Sequence, residues 1–504
     1  MSKNALDSVI KVVSPAWAAK REFNRLRADQ YARARQVVAR YEGASKSTRM
    51  SGWQTVSSGS AVAETQSGLV ELRERARDLA RNTWVGRRAV DVLTQNIIGT
   101  GIRPSIDGDS AAERLIKAWA RTNMADTDGL HSFYGLQVVA VASMIESGEA
   151  LIVKSREKAG PGRIPVSIRV LEGDYLDHNL NERLKGGGRI IQGVEFDRRG
   201  RRVAYHLFDE HPGDIYGSSF KRETRRFEAR DVVHLFRTLR PGQVRGVSAF
   251  APVMVRLKDW DNYEDAQLMR QQIAACFTAF VRTQGSGPLG DLSPERALGD
   301  TDLATHVKPG MIQLLQPGED VTFGSPPEAA GYRDYADVML HSVAAGLGIS
   351  YEALVGDLSK TNFSSARMGW LEFQRNIDVI RSMTLEPLLF SKVADWLTEG
   401  LELMGLSLDG RIKWTPPRRQ MIDPSKETDA ILSGIRAGIT SRSSEIRALG
   451  RDPEEVYAEI AKDNAIVDEL ELIFDSDPRR QNKNGTPRGD TPEVNIDLEV
   501  ENAA

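Results

Sequence analysis

Four carboxylates crowd one stretch of the chain: Asp259, Asp261, Glu264 and Asp265, with Arg256, Lys258 and Arg270 beside them. Acids so close together can hold a divalent ion or divide acid and base roles, the chemistry of a metal-dependent nuclease. Their spacing also has a plainer use, and it is the favoured one. Asp261 and Asp265 stand one helical turn apart and Lys258 precedes Asp261 by three residues, which makes a solvated, ion-paired helix face. A second cluster, His206, Asp209, Glu210, His211 and Asp214, has metal-ligand residue types. Its spacing fits a strand end and a Pro-Gly turn, so a structural or solvated role is expected. The third candidate is the polar loop at 351–367, with Asp357, Ser359, Lys360, Thr361 and Asn362, where Gly356 loosens the backbone. A lone lysine among small polar residues suits a phosphate contact without sequence preference. The competing role is an exposed turn that caps the next helix through Thr361, Ser364 or Ser365.

Other chemistry finds no footing in the sequence. No GxxxxGK[ST] phosphate loop, HExxH pair or GxSxG elbow occurs. The single cysteine, Cys276, allows neither a Cys-rich zinc cluster nor a disulfide within one chain, and a reducing compartment is expected. No catalytic residue, metal or cofactor is therefore assigned. Of 504 residues 40% are hydrophobic and 27% charged, ordinary values for a chain of several domains with a sizeable core. A net charge of −3 argues against simple high-affinity duplex binding. No apolar run reaches membrane-spanning length, and Lys3 and Asp7 stand where a secretion signal would be apolar.

The elements that must position these residues are dominated by one helix. Ser248 is a plausible N-cap and Pro252 suits a first turn; no Pro or Gly follows until Gly285. Roughly 33 helical residues would span about 50 Å, a strut between two bodies or a wall shared with copies of the chain. Helix is also expected over 18–40, 61–98 (in one or two pieces), 111–122, 132–147 and 332–347. Another long helix over 364–399 contains Pro387, so a kink or break is expected near Leu385-Glu386. Residues 151–155, 164–171, 190–196, 202–208 and 232–236 are β-branched and partly alternating, and predict one small antiparallel sheet. MIQLL (311–315) and VTF (321–323) read as two short strands. Ser441 and Asp452-Pro453-Glu454-Glu455 mark helix starts near the C-terminus.

Several blocks, taken in order, resemble the lambda-type portal proteins of tailed bacteriophages. They are RNTWVGRRAVDVLTQNIIGTGIRP (81–104), ESGEALIV (146–153), LRPGQVRGVSAFAPVMVRLKDWDNYEDAQL (239–268), IAACFTAFV (273–281), VKPGMIQLLQPGEDVTF (307–323), AAGLGISYEALVGDLSKTNFSSARMGWLEFQR (344–375) and DPSKETDAI (423–431). The resemblance implies an α+β, mainly α, portal fold with wing, two-helix stem, small β-containing clip and helical crown. It divides the chain into a basic arm and linker (1–60), the wing (61–246), a first stem helix (247–283), the clip (284–327) and a second stem helix (328–349). A tunnel loop (350–366), a kinked helix returning to the wing (367–424), the crown (425–475) and a disordered tail (476–504) follow.

What the resemblance implies about function is a homo-oligomeric ring, with a dodecamer as the expected count, at one capsid vertex of the virion after assembly in the host cytoplasm. Double-stranded DNA would pass through it without sequence specificity during packaging and ejection. Terminase, major capsid protein, scaffold and head-tail connector proteins would dock on it, and no membrane is involved. Asp357, Ser359, Lys360, Thr361 and Asn362 become tunnel-loop candidates, Asp261, Glu264 and Asp265 a stem channel face, and Arg282, Asp291, Glu295 and Arg296 clip contacts for terminase. The rival readings are a head or connector protein without a channel, and the metal-dependent nuclease.

Overall fold

The computed structural model describes residues 59–106, 111–158, 160, 162–214, 223–275, 279–283, 319–323, 331–359, 362–408, 410–418, 424–449, 451–472, 474 and 479. Residues 1–58 of the arm and linker (1–60), MIQLL, Lys360, Thr361, Asp291, Glu295, Arg296 and all of the tail (476–504) except residue 479 lie outside these residues.

The first helical stretch divides in two, α1 (Ala61–Asn82) and α2 (Trp84–Ile98). Thr83 breaks it by taking extended backbone, and its Oγ accepts the Gly86 N–H to cap α2. Then come β1 (Arg103–Ser105), α3 (Ala111–Arg121) and α4 (Phe133–Ser147). Ser132 caps α4, and Gly148 ends it with φ 94°.

Next are β2 (Glu149–Arg156), β3 (Val166–Glu172), β4 (Glu182–Arg183), β5 (Arg189–Ile191), β6 (Val194–Phe196), β7 (Arg202–Phe208), β8 (Thr224–Glu228) and β9 (Val232–Phe236). They form two antiparallel sheets, of order β3-β2-β9 and β4-β5-β6-β7-β8, where one had been expected. The residues of β2 explain the division. Side chains alternate along a strand, so Ala150 and Ile152 enter the helical core while Leu151 and Val153 face the second sheet with Val194, Tyr205 and Leu207. A strand apolar on both faces needs a layer on each side. Gln192-Gly193, with φ of 50° and 80°, turns the chain from β5 into β6, as a tight hairpin demands.

The long helix is shorter than its sequence predicts. It is α5 (Met254–Ala275), 22 residues or about 33 Å. Ser248 does not cap it; its Oγ accepts the Phe250 N–H within a separate turn, and Pro252 falls before the helix. At the far end the chain turns to strand, β10 (Ala279–Thr283), paired antiparallel with β11 (Glu319–Phe323). Phe280, Val281 and Thr283 are β-formers and meet a partner of the same kind, Val321-Thr322-Phe323.

The chain returns through α6 (Tyr332–Leu347), α7 (Tyr351–Val355) and α8 (Phe363–Ile380). Pro387 lies inside a π-helical segment, Arg381–Phe390, that leads on into α9 (Ser391–Leu403). The wider turn accommodates the missing N–H without a break. β12 (Lys413–Thr415) then pairs with β1. The last helices are α10 (Pro424–Arg436), α11 (Arg442–Ala448, capped by Ser441) and α12 (Pro453–Glu469, capped by Asp452 with Pro453 at its start).

Candidate functional site

Helix α5 is rooted in the main core by Val253, Met254, Leu257 and Trp260. Beyond Trp260 no residue up to Gln272 is buried. Leu268 and Met269 stand 56% and 64% exposed. Helix α6 runs antiparallel beside α5: Gly346 near its end abuts Val253, while Tyr332 and Tyr335 at its start meet Trp260 and Tyr263. The rings of Tyr263 and Tyr335 are 4.5 Å apart, and those of Tyr263 and Tyr332 5.9 Å. Such pairs each contribute about 0.5–1.5 kcal/mol beyond their buried area. Tyrosines therefore fasten the two helices together where the apolar core gives out, and the antiparallel β10–β11 ladder lies between the helices in sequence.

The carboxylates of α5 gather no metal-ligand group among the described residues. Asp261 pairs with Lys258 at 3.1 Å, as the spacing predicts, and Asp265 is exposed. Glu264 turns inward, hydrogen-bonded to Trp84 and Tyr332. Burial raises its carboxyl above the usual range, and the charges of Asp261 and Asp265 add to that rise.

In the loop after α6, Gly356 ends α7 with φ 80°, and Asp357 Oδ1 accepts the Ser359 N–H at 2.8 Å. Asn362 caps α8: its Oδ1 accepts the Ser365 N–H at 2.8 Å, and Ser365 Oγ accepts the Asn362 N–H at 3.2 Å. Capping thus falls to Asn362, with Ser365 as its reciprocal partner. Three of the five loop candidates are described; Asp357 and Asn362 shape backbone, and Ser359 offers its N–H to that turn. Of the four clip candidates only Arg282 is described, within β10.

The His206–Asp214 cluster does not assemble. His206 Nε2 lies 3.2 Å from Glu195 on the neighbouring strand, and His211 Nε2 3.3 Å from Glu172. Among the described residues one group brings ligand atoms together, Glu172, Asp174 and His211. Arg77 already reaches both of its carboxylates at 2.6 Å, and Arg73 reaches Asp174 at 3.0 Å. Guanidinium groups thus stand where a metal would have to compete.

Sequence reasoning missed the strongest electrostatic feature. Glu149, the first residue of β2, is 0% exposed. It accepts hydrogen bonds from Arg245 (Nε 3.0 Å), Arg73 (Nη2 2.8 Å), the Gly246 N–H (2.8 Å) and His234 (Nε2 2.9 Å). Arg245, also 0% exposed, donates further to the carbonyls of Gly173, Leu176 and Gln192. Burial alone would raise the Glu149 carboxyl, but Arg245, His234 and Arg73 hold it well below the usual range. Burial takes His234 down to about 4 against the pull of Glu149. The imidazole is therefore neutral at neutral pH. It gives its Nε2–H to Glu149 and accepts from Arg202 at Nδ1, 3.0 Å away.

This network joins α1, β2, β9 and the segment leading into α5. Backbones must also meet there. A Cβ on Gly246 would lie 2.1 Å from the Gly148 carbonyl oxygen, and one on Gly148 2.5 Å from the Val247 carbonyl carbon. The root of the projecting helix is thus bolted to the central strand. The clue in the sequence was an acid opening an apolar run, Glu149 before ALIV, and an Arg-Gly pair ahead of the helix.

Residues 46–381 match the family described as phage portal protein, lambda family. A probable portal protein of Halomonas phage phiHAP-1 is 27% identical over 416 residues, covering 78% of this chain and 79% of that one. Portal protein B of Escherichia phage lambda is 22% identical over 442 residues, covering 76% and 81%. Among solved structures, the neck of a native gene transfer agent particle computed with C12 symmetry is similar at a TM-score of 0.47 and 18% identity, covering 77% of this chain and 94% of that one. The family match takes in the two sheets built on β2–β9, the bolted helix root, the paired helices and the loop that follows them, and on it the chain belongs to the lambda family of phage portal proteins and serves as a bacteriophage portal protein.

Proposed function

We propose that this chain assembles head to tail into a closed ring whose stem helices, α5 and α6, surround a channel for double-stranded DNA at one vertex of the capsid. The observation that carries this reading is the pair of helices leaving the core with apolar side chains in solvent. Val255, Leu268, Met269 and Val338 are 73%, 56%, 64% and 65% exposed. Exposed apolar residues along a projecting element, with Leu268 and Met269 adjacent, suit a partner, and a neighbouring copy supplies one on each side in a heterologous ring. A net charge of −3 lets duplex DNA slide, since many phosphate contacts would grip it. Asp261 and Asp265 remain the channel-face candidates; Glu264, hydrogen-bonded to α2 and α6, supports the stem instead.

The protein acts as structure. The nuclease reading needs carboxylate oxygens gathered for a metal, and among the described residues those of α5 form no such group. In this account dodecameric assembly takes place in the host cytoplasm, and the ring then stays in the virion. Terminase docks on the clip through Arg282, Asp291, Glu295 and Arg296, while scaffold, major capsid protein and head-tail connector proteins take other faces. Among the described residues no helix is long and apolar enough to cross a membrane.

The test is Leu268→Asp with Met269→Asp. Both side chains are exposed in the protomer, so circular dichroism and the melting transition should hold while ring assembly is lost. Retention of full rings would refute the assigned interface. Lys360, placed by the resemblance in the tunnel loop, is tested by Lys360→Ala, which should leave rings intact and alter DNA packaging. Loss of the ring would make Lys360 structural.

A further inference from the structure

A cavity of about 280 Å³ lies where β1, α3 and Tyr134 of α4 meet α11 and α12. It holds far more than one water, whose share of liquid volume is about 30 Å³. Five basic side chains line it against three acidic ones. Three of the basic groups already have acidic partners: Lys117 has Glu113 and Asp452 within the cavity wall, Arg121 has Glu455, and Arg451 has Glu459. The other two, Arg103 and Arg447, have no carboxylate partner among the described residues. Arg103 leans over the Tyr134 ring at 5.7 Å, and its Nε is buried with no hydrogen-bond partner. Facing it from the C-terminal helices are Arg447, the Ser443 hydroxyl and Tyr457, whose hydroxyl is 3.3 Å from that of Ser443.

We propose that this cavity binds a small phosphate-bearing anion, clasped between Arg103 of the wing and Arg447 of the C-terminal helices. Two guanidinium groups and a hydroxyl around a recess are the donors that phosphate oxygens accept from best. A dianion would also meet the two guanidinium groups that lack a carboxylate partner among the described residues. The recess is far too small for a duplex, so the occupant is a free phosphate or the phosphate of a small molecule such as a nucleotide, with Tyr134 and Tyr457 available to its body. A bound anion would add a third tie to the Lys117–Asp452 and Arg121–Glu455 pairs that attach α12 to α3. The argument is independent of ring formation, because every residue named comes from one chain.

The experiment is calorimetric titration of the full-length protein with inorganic phosphate and, separately, with dAMP, against sodium chloride at matched ionic strength. Saturable binding at one site per subunit is expected. Arg447→Gln or Arg103→Gln should weaken it at least about tenfold, the loss of one charge-assisted hydrogen bond, and Arg447→Lys should fall between. Tighter binding of dAMP than of phosphate identifies a nucleotide as the source; equal binding identifies free phosphate. Absence of saturable binding to the unaltered protein, or unchanged affinity in well-folded Arg103→Gln and Arg447→Gln variants, overturns the proposal. The unaltered protein decides the question even if a variant misfolds.

Discussion

Replacing Glu149 by Gln should destabilise the protein more than almost any other single isosteric change. The carboxylate is fully buried and accepts from Arg245, Arg73, His234 and the Gly246 N–H. Gln keeps the shape, removes the charge, and turns an NH₂ donor toward groups that themselves donate. Arg73 retains Asp174 at 3.0 Å. Arg245 retains three carbonyls and no counter-charge. Removing one partner of a buried ion pair costs about 3–5 kcal/mol, a large share of the roughly 5–15 kcal/mol that holds a typical domain folded. Urea unfolding at pH 7, followed by far-UV circular dichroism, measures the loss. The double variant Glu149→Gln/Arg245→Met should recover part of it, because it removes the orphaned cation along with the anion. A loss below about 1 kcal/mol, or a double variant no better than additive, would refute the idea that this network anchors the helix root.

The same network sets a pH dependence. His234 has an ordinary value of 6.5 and about 4 in the folded protein. The unfolded chain thus binds more protons within that window, and stability present above 6.5 falls as pH drops toward 4, by about 3 kcal/mol in all. Unfolding midpoints at pH 7, 5.5 and 4.5 should fall in that order, and His234→Gln should flatten the slope between pH 6.5 and 5. Gly246→Ala should cost at least about 2 kcal/mol, since its methyl would meet the Gly148 carbonyl at 2.1 Å; melting curves beside Gly410→Ala, where a methyl meets open space and φ is not positive, check this. Asn362→Ala removes the α8 cap and should cost about 1 kcal/mol, with Asn362→Asp retaining most of the stability.

Local chemistry was legible where neighbours in sequence are neighbours in space. The Asp452-Pro453 start of α12, the Lys258–Asp261 pair and the strand runs 151–155 and 202–208 were all read from residues a few positions apart. The end of α5 was not. Absence of Gly and Pro permits helix but does not require it, and the strand at Ala279–Thr283 depends on a partner at Glu319–Phe323. Ser248 resembled a helix cap because its hydroxyl does cap a turn, one that closes before α5 begins. The Glu149 network was invisible to spacing arguments, since Arg73, His234 and Arg245 lie 76, 85 and 96 residues away from the acid. The histidine cluster failed for the reverse reason: its members are close in sequence, but strand alternation and the following turn send His206 to Glu195 and His211 to Glu172.

The central claim is that copies of this chain stand side by side around a channel, and the most direct measurement is the solution mass of the purified full-length protein with end-on electron micrographs of the same sample. The account predicts a mass many times the 55.8 kDa of one chain, twelvefold being the expected count, and closed rings with a central hole. A mass of 55.8 kDa across all buffers and protein concentrations, with no rings in the micrographs, would contradict it.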